Sequence, residues 1–380
     1  MKFIVNSQVF SKRLASISGI LSNNNTVPII NCFHFHLEGN TLTVKTTDLM
    51  TTLTTTLPVD TTSDEPMGDI AVPSNLLLNI LKSLDDAPIT FESNNDFAIE
   101  ITSGEGKYRL AGRNPDTYPA LPKIEGTSSI TIPASVFVSA ITKTIFAASS
   151  DEDSHQQLSG ILLEMGAEHT NFVATDGHKL VRYRRTDITS DEPARFIMPR
   201  KPINIVKGML SSNKEDVDVK IEYNNTNVVI SFDDNVAILR LIDGKYPNYE
   251  VAIPKDQPNK MLVDRSAFLN TLRRVVLFAN QATSQVRLSL FNDYVMVASE
   301  DIEFSNSANE KLPCAYEGDE MEIGFNARFL TEMMSCLNTE QIEMDLSTPL
   351  KPGIILPVNN DNADQHENIL MLVMPVSLSH

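Results

Sequence analysis

The chain has 380 residues, of which 42% are hydrophobic, and a net charge of −18 at neutral pH. This hydrophobic content excludes a largely disordered chain. The negative net charge, taken alone, argues against nucleic-acid binding, because a surface that binds a duplex is normally basic. Three cysteines in no zinc-binding spacing, together with the lack of a signal-peptide core or a membrane-length apolar run, predict a cytoplasmic protein.

A strand-like run that leads into an amphipathic helix occurs three times along the chain, at residues 3–21, 130–148 and 261–279. A second element of the same kind follows in each unit, at residues 70–84, 196–210 and 323–337. The units begin about 130 residues apart, which is the size of a whole domain rather than of a short solenoid repeat. The sequence therefore predicts three copies of one domain, at 1–122, 128–254 and 259–380, separated by proline-rich joints.

The second helix of each unit carries apolar residues at positions i, i+3 and i+7, a spacing that lays one face of a helix against a sheet. These residues are Leu77, Ile80 and Leu84 in the first unit, Ile203, Val206 and Leu210 in the second, and Leu330, Met333 and Leu337 in the third.

Alternating strand patterns joined by turn residues lie between the helices. Residues 33–37 and 41–46 predict one hairpin, and two more follow at residues 228–241 and 286–298. Each unit is therefore predicted to be an α+β domain with its helices on one side of the sheet.

Ten basic residues fall on or beside the six predicted helices. They are Lys12, Arg13, Lys82, Lys143, Arg200, Lys201, Lys207, Arg273, Arg274 and Arg328. Any one of them could belong to an ordinary solvated face. As a set that recurs in all three units, they favour an inward-facing basic surface.

The sequence motifs of common enzyme classes are absent: there is no GxxxxGK[ST], HExxH, GxSxG or GxGxxG. His34 and His36 stand two apart on a predicted strand and could bind a metal, but no carboxylate or cysteine partner is evident from the sequence, which favours an exposed strand face. Asp176 and His178 could form an acid–base pair, although the Asp-Gly step between two predicted strands first of all predicts a tight turn.

Four segments give the chain a family resemblance: ATDGHKL at 174–180, DGKYPNY at 243–249, MEIGFN at 321–326 and VMPVSL at 373–378. With these segments in this order, the chain resembles the bacterial DNA polymerase III beta subunits, the replicative sliding clamps. The resemblance implies three DNA-clamp domains per chain and a head-to-tail homodimer. Its six domains would form a ring around duplex DNA, with helices lining the inside and sheets outside. It also implies a non-catalytic protein that needs no cofactor or metal.

The resemblance further implies two protein-binding surfaces. One is a hydrophobic pocket for short peptides of the replicative polymerase alpha subunit, the clamp loader, and repair and translesion polymerases. Its matching residues are Leu158, Thr175, Gly177, His178, Leu180, Pro247, Val251, Val373, Met374, Pro375 and Val376. The other is the dimer interface, formed by Tyr108 and Leu110 on one side and by Leu277 and Phe278 on the other. The ten basic residues above would face the DNA.

Two alternatives of other functional classes stay open at the level of sequence. A metal-dependent hydrolase would use Asp176, His178 and either His34 or His36. A peptide-binding scaffold would use the pocket with no DNA in the hole.

Overall fold

The computed structural model describes residues 1–21, 26–61, 67–122, 124–151, 155–212, 215–358 and 364–378. The chain divides into two compact units, one of residues 1–138 with 201–241 and the other of residues 139–200 with 242–380. The middle sequence repeat therefore contributes to both units. The predicted boundaries of the three repeats stay a prediction.

Six α-helices begin directly after strands, as the repeated strand-to-helix pattern predicts. They are α1 (Ser7–Ile17), α2 (Ser74–Ser83), α3 (Ala134–Thr144), α4 (Arg200–Ser211), α5 (Arg265–Val275) and α6 (Ala327–Cys336). Local capping explains several of the starts, because Asn6, Asp264 and Asn326 accept hydrogen bonds from the first backbone amides of α1, α5 and α6. None of the described helices is long and apolar enough to cross a bilayer.

Strands make up most of the remaining described chain. The first repeat contains β1 (Lys2–Asn6), β2 (Cys32–Glu38), β3 (Thr41–Thr47), β4 (Thr51–Pro58), β5 (Met67–Pro73), β6 (Pro88–Ser93), β7 (Ala98–Ser103) and β8 (Gly106–Ala111). The second contains β9 (Ser128–Pro133), β10 (Gly160–Met165), β11 (Thr170–Thr175), β12 (Lys179–Arg185), β13 (Ala194–Pro199), β14 (Asp218–Tyr223), β15 (Asn227–Phe232) and β16 (Asn235–Arg240). The third contains β17 (Asn259–Asp264), β18 (Gln285–Phe291), β19 (Tyr294–Asp301), β20 (Asn306–Pro313), β21 (Ala315–Glu317), β22 (Met321–Asn326), β23 (Gln341–Leu346), β24 (Gly353–Val358) and β25 (Glu367–Val373).

The first unit contains two antiparallel sheets, in the orders β1-β6-β7-β8 and β5-β2-β3-β4-β16-β15-β14-β9. In the larger sheet β4 pairs with β16, for example at Leu53 and Ala237, so that strands of the first and middle repeats form one continuous sheet. The second unit repeats this arrangement with the orders β13-β10-β11-β12-β25-β24-β23-β17-β21 and β20-β19-β18-β22. There β12 pairs with β25, with Leu180 opposite Leu372.

Each unit has a core of large side chains. In the first, Phe3 stacks on Phe91 with 4.8 Å between ring centroids, and Phe10 and Phe35 complete the cluster. In the second, Phe172 and Tyr183 are fully buried and meet edge to face. Aromatic side chains bury the largest apolar areas and dominate core stability.

The three predicted hairpins are confirmed, and the apolar stripe of the second helix is right in two repeats but shifted in the first. Helix α2 buries Leu77, Leu78 and Leu81, whereas Ile80 and Leu84 are half-buried. The physical reason is that three consecutive leucines, Leu76 to Leu78, are followed after Asn79 by Ile80 and Leu81, so spacing alone does not determine which side of the helix is buried.

Candidate functional site

The turn between β11 and β12 is held rigid by its own side chains. Asp176 Oδ1 accepts hydrogen bonds of 2.9 Å from the backbone amides of His178 and Lys179, and Thr175 Oγ1 donates to the Lys179 carbonyl at 2.7 Å. Gly177 adopts φ +87°, a left-handed conformation that glycine allows without strain. The predicted tight turn is therefore confirmed, and Asp176 is engaged in building it.

The carboxyl-terminal tail lies directly beside this turn. The Met374 amide donates to the His178 carbonyl at 2.8 Å, and the Val376 amide donates to the Gly324 carbonyl at 2.9 Å. A Cβ atom at Gly324 would come within 2.7 Å of the Val376 carbonyl oxygen. The glycine in the MEIGFN segment is thus required for the close approach of the tail.

The proline-rich joint before β17 packs onto the sheet next to the turn, through Tyr246 and Tyr249. Tyr246 and Tyr249 are buried in a cluster that includes Leu158 and Leu180, and burial raises the pKa of both phenols well above the usual value. Between and beyond these anchors, Pro247 and Val251 are exposed. An apolar surface with fixed aromatic anchors and exposed neighbours is suited to holding a short peptide.

All eleven predicted pocket residues lie within the second unit, and the contacts above bring the turn, the joint and the tail together. Three of the eleven, Leu158, Leu180 and Val373, are buried in the fold of the single chain. Met374, by contrast, is 38% exposed and lies at the surface.

Three residues that sequence reasoning missed adjoin the turn. The Lys179 ammonium lies 4.1 Å from the ring centroid of Phe329, forms ion pairs with Asp176 and Glu332, and is almost fully buried. The Phe329 ring also lies roughly parallel to the His178 ring. The available signal was weak: Phe329 falls one residue outside the apolar stripe of α6, where an aromatic side chain has no core position to fill.

The charged side chains of the six described helices are almost all basic. Glu332 is their one acidic residue, although the chain contains 49 aspartates and glutamates. Nine of the ten predicted DNA-facing side chains are exposed or half-buried with substantial access to solvent. Among the described residues, seven have no carboxylate oxygen within 4.0 Å: Lys12, Lys82, Arg200, Lys201, Lys207, Arg273 and Arg328.

The other three basic side chains are paired within the protein. Arg13 lies 3.4 Å from Asp234, and Arg274 forms two short hydrogen bonds with Glu310. The Lys143 ammonium lies 2.6 Å from Glu367, and its side chain is only 12% exposed. This corrects the expectation for Lys143, whose charge is neutralised inside the fold and is not presented at a surface.

The predicted dimer residues differ in their exposure. Tyr108 projects from β8, the outer strand of its sheet, while Leu110 on the same strand is buried. In the third repeat, Leu277 and Phe278 lie in the helical turn after α5, and both are exposed. Leu110 therefore belongs to the core of its own unit, and the other three residues remain candidates for an interface.

The paired histidines do have a carboxylate partner, contrary to the expectation from sequence. Asp69 Oδ1 lies 3.3 Å from His34 Nε2 and 3.0 Å from His36 Nδ1. Asp69 comes from β5, which pairs with β2, and it lies 33 residues from His36 in sequence. Within the part of the chain that the structure describes, no group of three or more His, Cys, Asp or Glu side chains is arranged to hold a metal ion.

Three family models match consecutive parts of the chain. They are described as the N-terminal domain of the DNA polymerase III beta subunit, matching residues 1–122, its central domain, matching 131–248, and its C-terminal domain, matching 250–373.

Relatives and solved structures agree with these matches. The beta sliding clamp of Synechococcus elongatus is 30% identical over 83% of both chains, and that of Halalkalibacterium halodurans is 25% identical over 96% of this chain and 97% of its own. The sliding clamp of Pseudomonas aeruginosa, solved bound to griselimycin, superimposes over the full length of both chains with a TM-score of 0.91 at 26% identity. The Bacillus subtilis clamp has the same fold, with a TM-score of 0.90 over both full chains at 24% identity.

Proposed function

The chain belongs to the DNA polymerase III beta subunit family, and from this premise we propose how its residues divide the work of a DNA sliding clamp between ring closure, DNA contact and partner binding. It is a non-catalytic processivity factor with a three-domain α+β clamp fold. The metal-dependent hydrolase and the scaffold without DNA are not supported.

The strand order supports closure through a second copy of the chain. The first and middle repeats join where β4 pairs with β16, and the middle and third repeats join where β12 pairs with β25. In the order of their own four strands, β16 and β25 correspond to β8 of the first repeat, and β4 and β12 correspond to β20 of the third. Both β8 and β20 lie at the edge of a sheet, and no described strand pairs with their outer sides. Unpaired sheet edges invite pairing with another chain. We therefore assign head-to-tail dimerisation to β8, which carries Tyr108, and to β20, together with Leu277 and Phe278 in the turn after α5.

The helix surface supports contact with duplex DNA. Seven side chains present uncompensated positive charge on helices that hold a single acidic residue. Lysine and arginine side chains contact phosphates without reading the base sequence, which permits the ring to slide. The observation that carries this assignment is the concentration of charge on the helices of a chain whose net charge is −18.

The pocket supports binding of partner peptides. Its turn and tail are fixed by hydrogen bonds to each other, so a peptide would meet a preformed apolar surface with little cost of ordering. We assign to this surface the replicative polymerase alpha subunit, and beyond it the clamp loader and repair and translesion polymerases, each through a short linear segment.

Retention on circular DNA tests the proposal. A clamp loaded on a nicked plasmid should stay bound through gel filtration in high salt and be lost when the plasmid is linearised, since topology and not affinity retains it. Changing Lys201, Arg273 and Arg328 together to glutamine should reduce loading. A matched control changes Lys220, Arg240 and Lys351, which are exposed outside the helices. Equal loading of both triple variants would refute the assignment of the helix surface to DNA.

A further inference from the structure

A row of polar side chains crosses the second unit on one face of its large sheet. The aligned residues, from β13 to β25, are Arg195, Glu164, Asn171, Arg184 and Asn368. Arg184 Nε donates to Asn171 Oδ1 at 2.8 Å, and Asn171 Nδ2 donates to Glu164 Oε2 at 3.2 Å. The row holds Arg184 in one orientation while leaving the Nη groups of its guanidinium without an acceptor among the described residues.

Arg182 stands beside this row on the same strand and the same face. Its Nη2 donates to Asn368 at 3.3 Å, but its buried Nε has no hydrogen-bond partner in the described chain. Burial and the neighbouring Arg184 lower the pKa of Arg182, while Glu250 acts in the opposite direction. No described carboxylate oxygen lies within 4.0 Å of either guanidinium. Glu164, the acid of the row, accepts a hydrogen bond from Tyr249 and lies 3.7 Å from Arg195. Two adjacent arginines with no carboxylate in direct contact offer a preformed site for an anion.

The two arginines continue the partner pocket. Leu180, Arg182 and Arg184 alternate along β12 and therefore share one face, with steps of about 6.6 Å. The opposite face, with Tyr183, is turned towards α3, since Lys143 of that helix lies 5.4 Å from the Tyr183 ring centroid. The arginines thus lie on the side of the pocket, and not on the side of the helix that carries Lys143.

We propose that Arg182 and Arg184 form an anion-binding extension of the pocket, which accepts the carboxylate side chains of an acidic segment next to the pocket-bound part of a partner peptide. The inference rests on the proposed function of the pocket and adds the chemistry of its ligand. In a chain of net charge −18, an acidic segment is repelled at long range. A local pair of uncompensated arginines is what such a segment needs in order to bind, and the forked guanidinium matches a carboxylate.

Fluorescence anisotropy with designed peptides tests the extension. The probes share an apolar centre of leucine and phenylalanine and carry either three glutamates or three glutamines on the amino-terminal or the carboxyl-terminal side. For one of the two sides, we expect wild type to bind the glutamate peptide about fivefold more tightly than its glutamine counterpart. This is the gain in affinity expected from one charge-assisted hydrogen bond at a half-buried site. The preference should shrink between about 50 and about 300 mM salt.

Single substitutions assign the effect to residues. Arg182→Gln and Arg184→Gln should each abolish most of the preference without changing affinity for the glutamine peptides, and Arg184→Lys should restore part of it. Arg240→Gln is the matched control, because Arg240 is also a strand arginine but belongs to the other unit. It should leave the preference intact.

The outcomes separate the extension from the pocket itself. Equal binding of glutamate and glutamine peptides by wild type would overturn the extension alone, and needs no variant. If no peptide of either kind binds, the pocket assignment fails and the extension with it. An oligothymidylate that binds wild type but not Arg184→Gln would assign the arginines to nucleic acid and overturn the peptide proposal.

Discussion

The sharpest test of ring closure is a charge at Leu277. This leucine is 79% exposed in the single chain, so an interface that covers it would recover most of the burial energy of a leucine, about 2 kcal/mol. A head-to-tail ring of two chains contains two equivalent interfaces. Leu277→Asp should therefore cost the dimer about 4 kcal/mol, or roughly a thousandfold in its dissociation constant.

Leu350→Asp provides the matched control. Leu350 is also 79% exposed, and it lies between β23 and β24, apart from the two outer strands assigned to closure. Sedimentation velocity over a range of concentrations should show monomers of Leu277→Asp where wild type and Leu350→Asp are dimers. The thermal unfolding of both variants should stay close to that of wild type, since exposed substitutions seldom change stability by more than about 0.5 kcal/mol. A Leu277→Asp protein that dimerises as tightly as the control would refute the interface.

The pocket and the acid stability of the fold yield three further predictions. Met374→Ala should weaken partner-peptide binding by more than about 1 kcal/mol in a titration, while sedimentation still shows a dimer. Gly324→Ala should lower peptide affinity similarly, because the new methyl group displaces the tail, and unchanged affinity would contradict the role given to the tail. The hydrogen bond from Arg185 lowers the pKa of Asp187, and Arg185 also holds the pKa of Asp364 below its ordinary 3.8 against the effect of burial. Stability from these pairs is present above about pH 4 and lost as the pH falls further. Arg185→Gln should thus melt earlier at neutral pH and show a weaker decline in acid by calorimetry.

Much of the fold could be predicted from the sequence because its signals are local. Each helix start depends on a strand that ends in a capping or helix-compatible residue, and the hairpins depend on turn residues between alternating runs. Because the same strand-to-helix pattern occurs in all three repeats, each occurrence supports the prediction made from the other two. The family segments located the turn and the tail of the pocket for the same reason, since each is continuous in sequence.

What could not be predicted depends on pairing between distant residues. Asp69 reaches the two histidines only because β5 pairs with β2, and Glu367 reaches Lys143 from more than two hundred residues away. The burial of Leu110 likewise follows from packing that alternation on an outer strand does not reveal. Spacing gives the face of a strand or helix, but not the charge that lies opposite.

The net charge of −18 and a DNA-binding role are compatible because charges act locally in salt. The Debye length at physiological ionic strength is about 8 Å, so acids on strands and turns beyond that distance are largely screened from a phosphate near the helices. The described helices themselves carry a single glutamate, which is paired with Lys179, so their own charged side chains are almost all basic despite the acidic average. The remaining acids limit non-specific adhesion. Retention on DNA must then come from closure of the ring, since each uncompensated lysine or arginine adds only a salt-sensitive contact.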